Sequence, residues 1–186
     1  MLTRWKRPSA KVMAVFAAGA ALVAAVIAID STAPHRSRAA APPPAPLFTL
    51  PSLRDPVQQV SLSAYSGHPV ILNFFASWCG PCQRETPLLA RYYRASQGTV
   101  VIVGVDADDK APAARRFVAA SGVTYPVGFE STPAVADAYA VSEIGIPETL
   151  FLDSRHRIVK RILGDVTMQA LSAGVALMDG RSGTLT

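Results

Sequence analysis

Val70-Ile71-Leu72-Asn73-Phe74-Phe75-Ala76-Ser77-Trp78-Cys79-Gly80-Pro81-Cys82 is the stretch on which the reading of this chain turns. Its first six residues are almost continuously apolar, which predicts a strand buried on both faces. A short turn follows, and the spacing predicts a helix over 79–96, stopped by Gly98. Pro81 fits the first turn of that helix, where its missing N–H costs nothing. A strand feeding directly into a helix start puts unpaired backbone N–H groups and the positive end of the helix dipole at Cys79. Those groups favour the thiolate, which is the nucleophile of disulfide exchange. Cys82, one turn further on, faces inward, placed to attack a mixed disulfide formed at Cys79.

These are the only two cysteines in the 186 residues. A structural disulfide rarely spans two residues at a helix start. A structural zinc site needs four ligands, and His35, His68 and His156 fall in the linker or in predicted turns. A cysteine hydrolase needs a positioned histidine, and none is near in sequence. Redox exchange by Cys79 and Cys82 is the reading that remains, and it requires no metal and no organic cofactor. Trp78, a large aromatic directly before the first cysteine, is placed to cover the disulfide and shape the surface around it. Tyr92 and Tyr93 read as ordinary packing.

Outward from this stretch the chain alternates strands and helices. Short strands are predicted at 48–50 and 57–62, the latter running into a Ser66-Gly67-His68-Pro69 turn. Residues 100–105, VVIVGV, read as a second buried strand, and 111–120 as a helix closed by Gly122. A short strand at 125–129 and a short helix at 133–139 follow. Residues 149–153 and 157–163 flank a Ser154-Arg155-His156 turn and predict an antiparallel hairpin, and 167–178 a closing helix. Strand–helix–strand crossovers followed by a hairpin give an α/β domain with a mixed central sheet and helices on both faces.

The N-terminal quarter differs in kind. The net charge of +5 resides there: residues 1–46 carry six Lys/Arg against one acid, while twelve Lys/Arg meet twelve Asp/Glu from Leu47 onward. The folded part is therefore neutral by count, and the basicity gives no ground for a nucleic-acid partner. Residues 1–11 form a basic tail, and 12–29 are apolar or glycine without interruption. Eighteen such residues make a helix of about 27 Å, close to the ~30 Å hydrocarbon core. Cations ahead of the run keep that end cytoplasmic and send the rest of the chain outside, as a single-pass protein of the cytoplasmic membrane. A cleaved signal is the alternative: Ser31-Thr32-Ala33 resembles a cleavage site, although Pro34 hinders cutting there. Residues 30–46 are a Pro/Ala-rich linker ending in AAAPPPAP, and 47–186 hold the domain.

The run Asn73 to Cys82 resembles the active site of the thioredoxin superfamily, and Pro87 matches the proline within its active-site helix. Phe48-Thr49-Leu50-Pro51, Gly67-His68-Pro69-Val70, the apolar N-terminal run and Gly145-Ile146-Pro147-Glu148-Thr149-Leu150-Phe151-Leu152-Asp153 are similar to the TlpA/ResA/DsbE (CcmG) branch. The resemblance spans residues 47–178. It implies a thioredoxin-like fold and a cis Pro147 facing the cysteine pair, with the Ile146 backbone free to pair with an extended substrate segment. Spacing alone leaves an ordinary trans proline open. It also implies a membrane-anchored oxidoreductase that reduces disulfides of exported proteins, apocytochrome c among them, and is recharged by a membrane electron donor of the DsbD/CcdA kind.

Two departures matter. Thioredoxin has a buried aspartate where this chain has Asn73, and asparagine cannot take a proton from Cys82. Asp109, in the Asp106-Ala107-Asp108-Asp109-Lys110 segment, is one candidate acid/base, set against a plain role in a solvated acidic loop; Glu148 is a second. The Gly80-Pro81 pair is thioredoxin's, whereas many cytochrome-maturation members carry other residues there. Two other function classes compete: a peroxiredoxin-like peroxidase, whose Pro-X-X-X-Thr-X-X-Cys pattern is missing here, and a non-catalytic thioredoxin-fold binding module.

Overall fold

The computed structural model describes residues 44–142 and 145–180. The basic tail at 1–11, the apolar run at 12–29 and residues 30–43 of the linker lie outside them. Among the described residues no helix is long and apolar enough to cross a membrane.

The chain begins with an antiparallel pair, β1 (Thr49–Pro51) and β2 (Gln59–Ser61), followed by a 3-10 turn over Leu62–Tyr65. Then come β3 (Val70–Phe75), α1 (Gly80–Ala95), β4 (Val101–Ala107), α2 (Ala111–Ala120), β5 (Val127–Glu130) and α3 (Ala134–Ala138). The hairpin β6 (Glu148–Leu152) and β7 (Ile158–Leu163) precedes the last helix, α4 (Met168–Met178). The main sheet has the order β5-β4-β3-β6-β7, with β3, β4 and β5 parallel and β6 and β7 antiparallel. This is the mixed sheet that the alternation of elements predicts.

β3 sits at its centre and is buried at all six positions. Ile71 and Phe75 pack on one face with Ile102, Leu89, Phe151 and Leu171. Leu72 and Phe74 pack on the other with Val103, Val105, Leu150 and Tyr139. Val70, Ile71, Leu72, Phe74 and Phe75 are each 0% exposed, and such a side chain stabilises by roughly 1.5–3 kcal/mol. The exposed Arg84–Asp165 ion pair contributes about 0–1 kcal/mol by comparison. The central strand, not surface charge, holds the domain together. Gly98 and Gly122, with φ of +85° and +66°, follow α1 and α2 in the left-handed conformation that ends helices.

The structure differs from the sequence reading most in three places, the other strands and helices being displaced at their ends by at most two residues. Residues 57 and 58 are not strand: the Asp55 carboxylate accepts the Val57 N–H at 3.1 Å and the Asp55 carbonyl the Gln58 N–H at 2.9 Å. That turn leaves Val57 89% exposed and shortens β2 to three residues. The linker also ends earlier than residue 46. Pro44 bridges Arg157, the Ala45 N–H donates to the His156 carbonyl at 2.9 Å, and the Tyr139 hydroxyl donates to the Pro46 carbonyl at 2.6 Å. Pro44 and Ala45 are thus tied to the hairpin turn, at the end of the sheet away from the C-terminus of β3, and Pro46 to Tyr139 after α3. Finally, Cys79 and Thr167 cap their helices from outside: Cys79 Sγ accepts the Cys82 N–H and Thr167 Oγ1 the Ala170 N–H.

Candidate active site

β3 delivers the chain to the edge of the sheet, and α1 carries it back. Cys79 is the N-cap, Gly80 and Pro81 open the helix, and Pro87 lies inside it. Cys79 and Cys82 are joined by a disulfide, with Cα atoms 5.2 Å apart. Cys79 Sγ accepts the Cys82 N–H at 3.2 Å, so a helix-start donor points at the first sulfur, as the sequence predicts. Exposure separates the two: Cys79 is 4% exposed and Cys82 0%. Cys82 is fully buried, and Cys79 keeps only a small opening to solvent.

Three segments frame the disulfide. Trp78 is 53% exposed beside it, and its indole N–H donates to the Asp108 carbonyl at 2.8 Å. The Ile146-Pro147 bond is cis, and the Ile146 carbonyl oxygen lies 3.6 Å from Cys79 Sγ. The loop after β4 grips the turn before the helix. Asp109 Oδ2 accepts the Ser77 N–H at 2.5 Å, and Oδ1 accepts the Ser77 hydroxyl at 3.0 Å. Gln83 Nε2 closes the same turn by donating to the Ser77 carbonyl at 2.8 Å.

These contacts re-sort the acid/base candidates. Asp109 is engaged in holding Ser77, together with the Lys110 N–H at 2.6 Å. Glu148 is buried but ion-paired with Arg161, whose other N–H group donates to the Tyr139 carbonyl at 2.9 Å. It alternates along β6 with Thr149, so it points to the opposite face of the sheet from the Asn73–Thr149 contact. Burial raises the pKa of Glu148, and the Arg161 charge works against that rise.

A carboxyl that the sequence reading missed lies under the helix. Glu85 is 1% exposed. Its Oε1 accepts Asn73 Nδ2 at 2.7 Å and its Oε2 the Val166 N–H at 2.8 Å. Asn73 Nδ2 also donates to Thr149 Oγ1 at 3.1 Å. Asn73 therefore positions an acid instead of being one. Burial is the largest influence on Glu85 and lifts its pKa to about 7, the two hydrogen bonds opposing and the Asp165 charge reinforcing. The signal was present in the sequence. Cys82, Glu85, Thr86 and Leu89 form the buried stripe of α1, and a glutamate on such a stripe calls for a reason. Among the described residues no group of three or more His, Cys, Asp or Glu is placed to hold a metal.

Residues 43–161 match the model of the AhpC/TSA family. The chain belongs to that family. Within the AhpC/TSA family it falls among thiol–disulfide oxidoreductases of the ResA/DsbE type. It is 36% identical over 112 residues to the thiol-disulfide oxidoreductase ResA of Bacillus subtilis, covering 59% of this chain and 61% of that one. The match thus spans a little under two thirds of that relative. To ResA of Geobacillus kaustophilus it is 32% identical over 127 residues, covering 67% of this chain and 70% of the relative. A crystal structure of a Chlorobium tepidum protein, assigned as thiol:disulfide interchange protein DsbE, superposes with a TM-score of 0.66 at 26% identity. That superposition covers 74% of this chain and 96% of the other. This AhpC/TSA member is a thiol–disulfide oxidoreductase, which disfavours both the peroxidase and the binding-module readings.

Proposed function

We propose that the protein works outside the cytoplasm as a reductant of disulfides in exported proteins, with Cys79 as the attacking thiol. The observation that carries the assignment of roles is the difference in access: Cys79, beside the Ile146 carbonyl, keeps 4% exposure, whereas Cys82 has none. In the dithiol form, Cys79 thiolate attacks one sulfur of the client disulfide. A Cys79–client mixed disulfide forms, and the other client sulfur leaves as a thiolate and takes a proton. Cys82 then loses its proton to the Glu85 carboxylate and attacks Cys79 Sγ. The internal disulfide forms, the second client sulfur leaves, and the client is reduced by two electrons. The Ile146 backbone at the cis bond supports binding of an extended client segment, by pairing along it. Apocytochrome c, with its Cys-X-X-Cys-His, is one such client; a membrane electron donor of the DsbD/CcdA kind returns the protein to its dithiol form.

The reducing direction is supported by the thioredoxin-like Gly80-Pro81 pair and by the absence of any other cysteine that repeated cycling could disturb. Equilibration with glutathione buffers tests it. A potential near the thioredoxin value of about −270 mV is expected, and one above about −180 mV makes the protein an oxidant.

The apolar run at 12–29, preceded by four cations, supports a single-pass anchor in the cytoplasmic membrane. Fractionation of cells expressing the full chain should recover it with membranes, its domain open to protease from outside. A full-length form in the cytosolic fraction counts against the anchor, and a shortened form outside the cell membrane indicates cleavage instead.

A further inference from the structure

Asp106, the last residue but one of β4, is 0% exposed, and neither carboxyl oxygen has a hydrogen-bond donor. Its neighbours across the strands are Phe75 on β3 and Phe129 on β5, neither of them titratable. Among the described residues, the charged group that faces it is Asp109, three residues further along the chain. A buried carboxylate without donors or a cation is costly, so the neutral acid is the form this site favours. The O–H of that acid has an acceptor in the Asp109 side chain. Asp109 in turn holds the N–H and hydroxyl of Ser77, and Asp108 in the same loop holds the Trp78 indole.

We propose that Asp106 is a positioning residue: as a neutral acid it shares its proton with Asp109, leaving the Asp109 carboxylate to clamp the turn that carries Trp78 and Cys79. When Asp106 ionises, two like charges meet with no cation among the described residues to offset them, and Asp109 moves off Ser77. Burial first, and the Asp109 charge second, push the pKa of Asp106 up to about 8. The clamp is therefore closed below that pH and opens as pH rises through it. The inference leans on the proposed exchange reaction only for its rate readout. The turn can be observed without it.

The test uses the full chain carrying Trp5→Phe, so that Trp78 is the remaining tryptophan. Its fluorescence is followed from about pH 6 to 10 in the oxidised form, where neither active-site cysteine titrates. A transition with its midpoint near pH 8 is expected, absent in Asp106→Asn. In Asp109→Asn the transition should move to lower pH, because the charge opposing ionisation is gone. The ratio of Asp106→Asn to parent exchange rates, near one at neutral pH, should rise several-fold above the midpoint. A flat profile in the parent overturns the proposal. So does a transition that keeps its midpoint in either variant. If Asp106→Asn fails to fold, the parent profile and the direction of the Asp109→Asn shift still decide.

Discussion

Cys79→Ser is expected to abolish disulfide exchange, and Cys82→Ser to convert the protein into a covalent trap. The two cysteines are chemically alike, and the fold makes them different. Cys79 caps α1, receives the Cys82 N–H on its sulfur and touches solvent. Without it no sulfur is accessible for the first attack. Without Cys82 the attack proceeds, the client stays bound through Cys79, and no internal thiol releases it. Non-reducing electrophoresis of cells expressing Cys82→Ser should show adducts that vanish on reduction and are missing from the Cys79→Ser/Cys82→Ser double variant. Limiting alkylation of the reduced protein should label Cys79. Preferential labelling of Cys82, or adducts that survive without Cys79, would reverse the assignment.

Glu85→Gln should slow the release of client by about 10²-fold or more, the range over which a positioned base acts. The amide keeps the size of the side chain but cannot take the Cys82 proton. The pH–rate profile should lose its inflection near pH 7, where the buried carboxyl titrates. Stability should move the other way. The fold raises the pKa of Glu85 from 4.5 to about 7, so it favours the neutral acid. That contribution is complete below the unfolded value and is lost as pH rises through about 7. Glutamine never ionises and escapes the loss, although it satisfies only one of the donors Asn73 and Val166. At pH 8 the variant should therefore be roughly 1–3 kcal/mol more stable than the parent, with little gain near pH 4. Denaturation at the two pH values separates this from a simple packing defect, which would destabilise at both. A normal release rate with an unchanged profile would remove Glu85 from the mechanism.

Local signals carried the reading of the fold. The apolar run of β3 and the Gly and Pro punctuation around α2 placed both elements at their observed bounds, because propensity, period and burial agree there. β2 was overextended because Val57 looks like strand in sequence, whereas Asp55 draws the residues after it into a turn. The cysteine pair, Trp78 and the cis Pro147 were legible from motif and resemblance. Glu85, on the buried stripe of α1 three residues after Cys82, was not. Asn73 drew attention to loop acids, while the contact that explains Glu85 comes from Val166, eighty-one residues later in the chain. Asp109 likewise acts on a residue thirty-two positions before it. Partners at such separations leave no local pattern, although the polar residue on an otherwise buried helix stripe was visible to anyone counting threes and fours.

The fastening of Pro44 and Ala45 to the hairpin turn has a consequence for traffic at the disulfide. β6 runs antiparallel to β3 and pairs Leu152 with Val70, so that turn lies at the end where β3 begins. The chain therefore enters the domain at one pole and presents Cys79 at the other, separated by the six residues of β3, about 20 Å of strand. Whatever holds the chain ahead of residue 44 and whatever meets Cys79 therefore approach from opposite ends of the central strand and do not crowd each other.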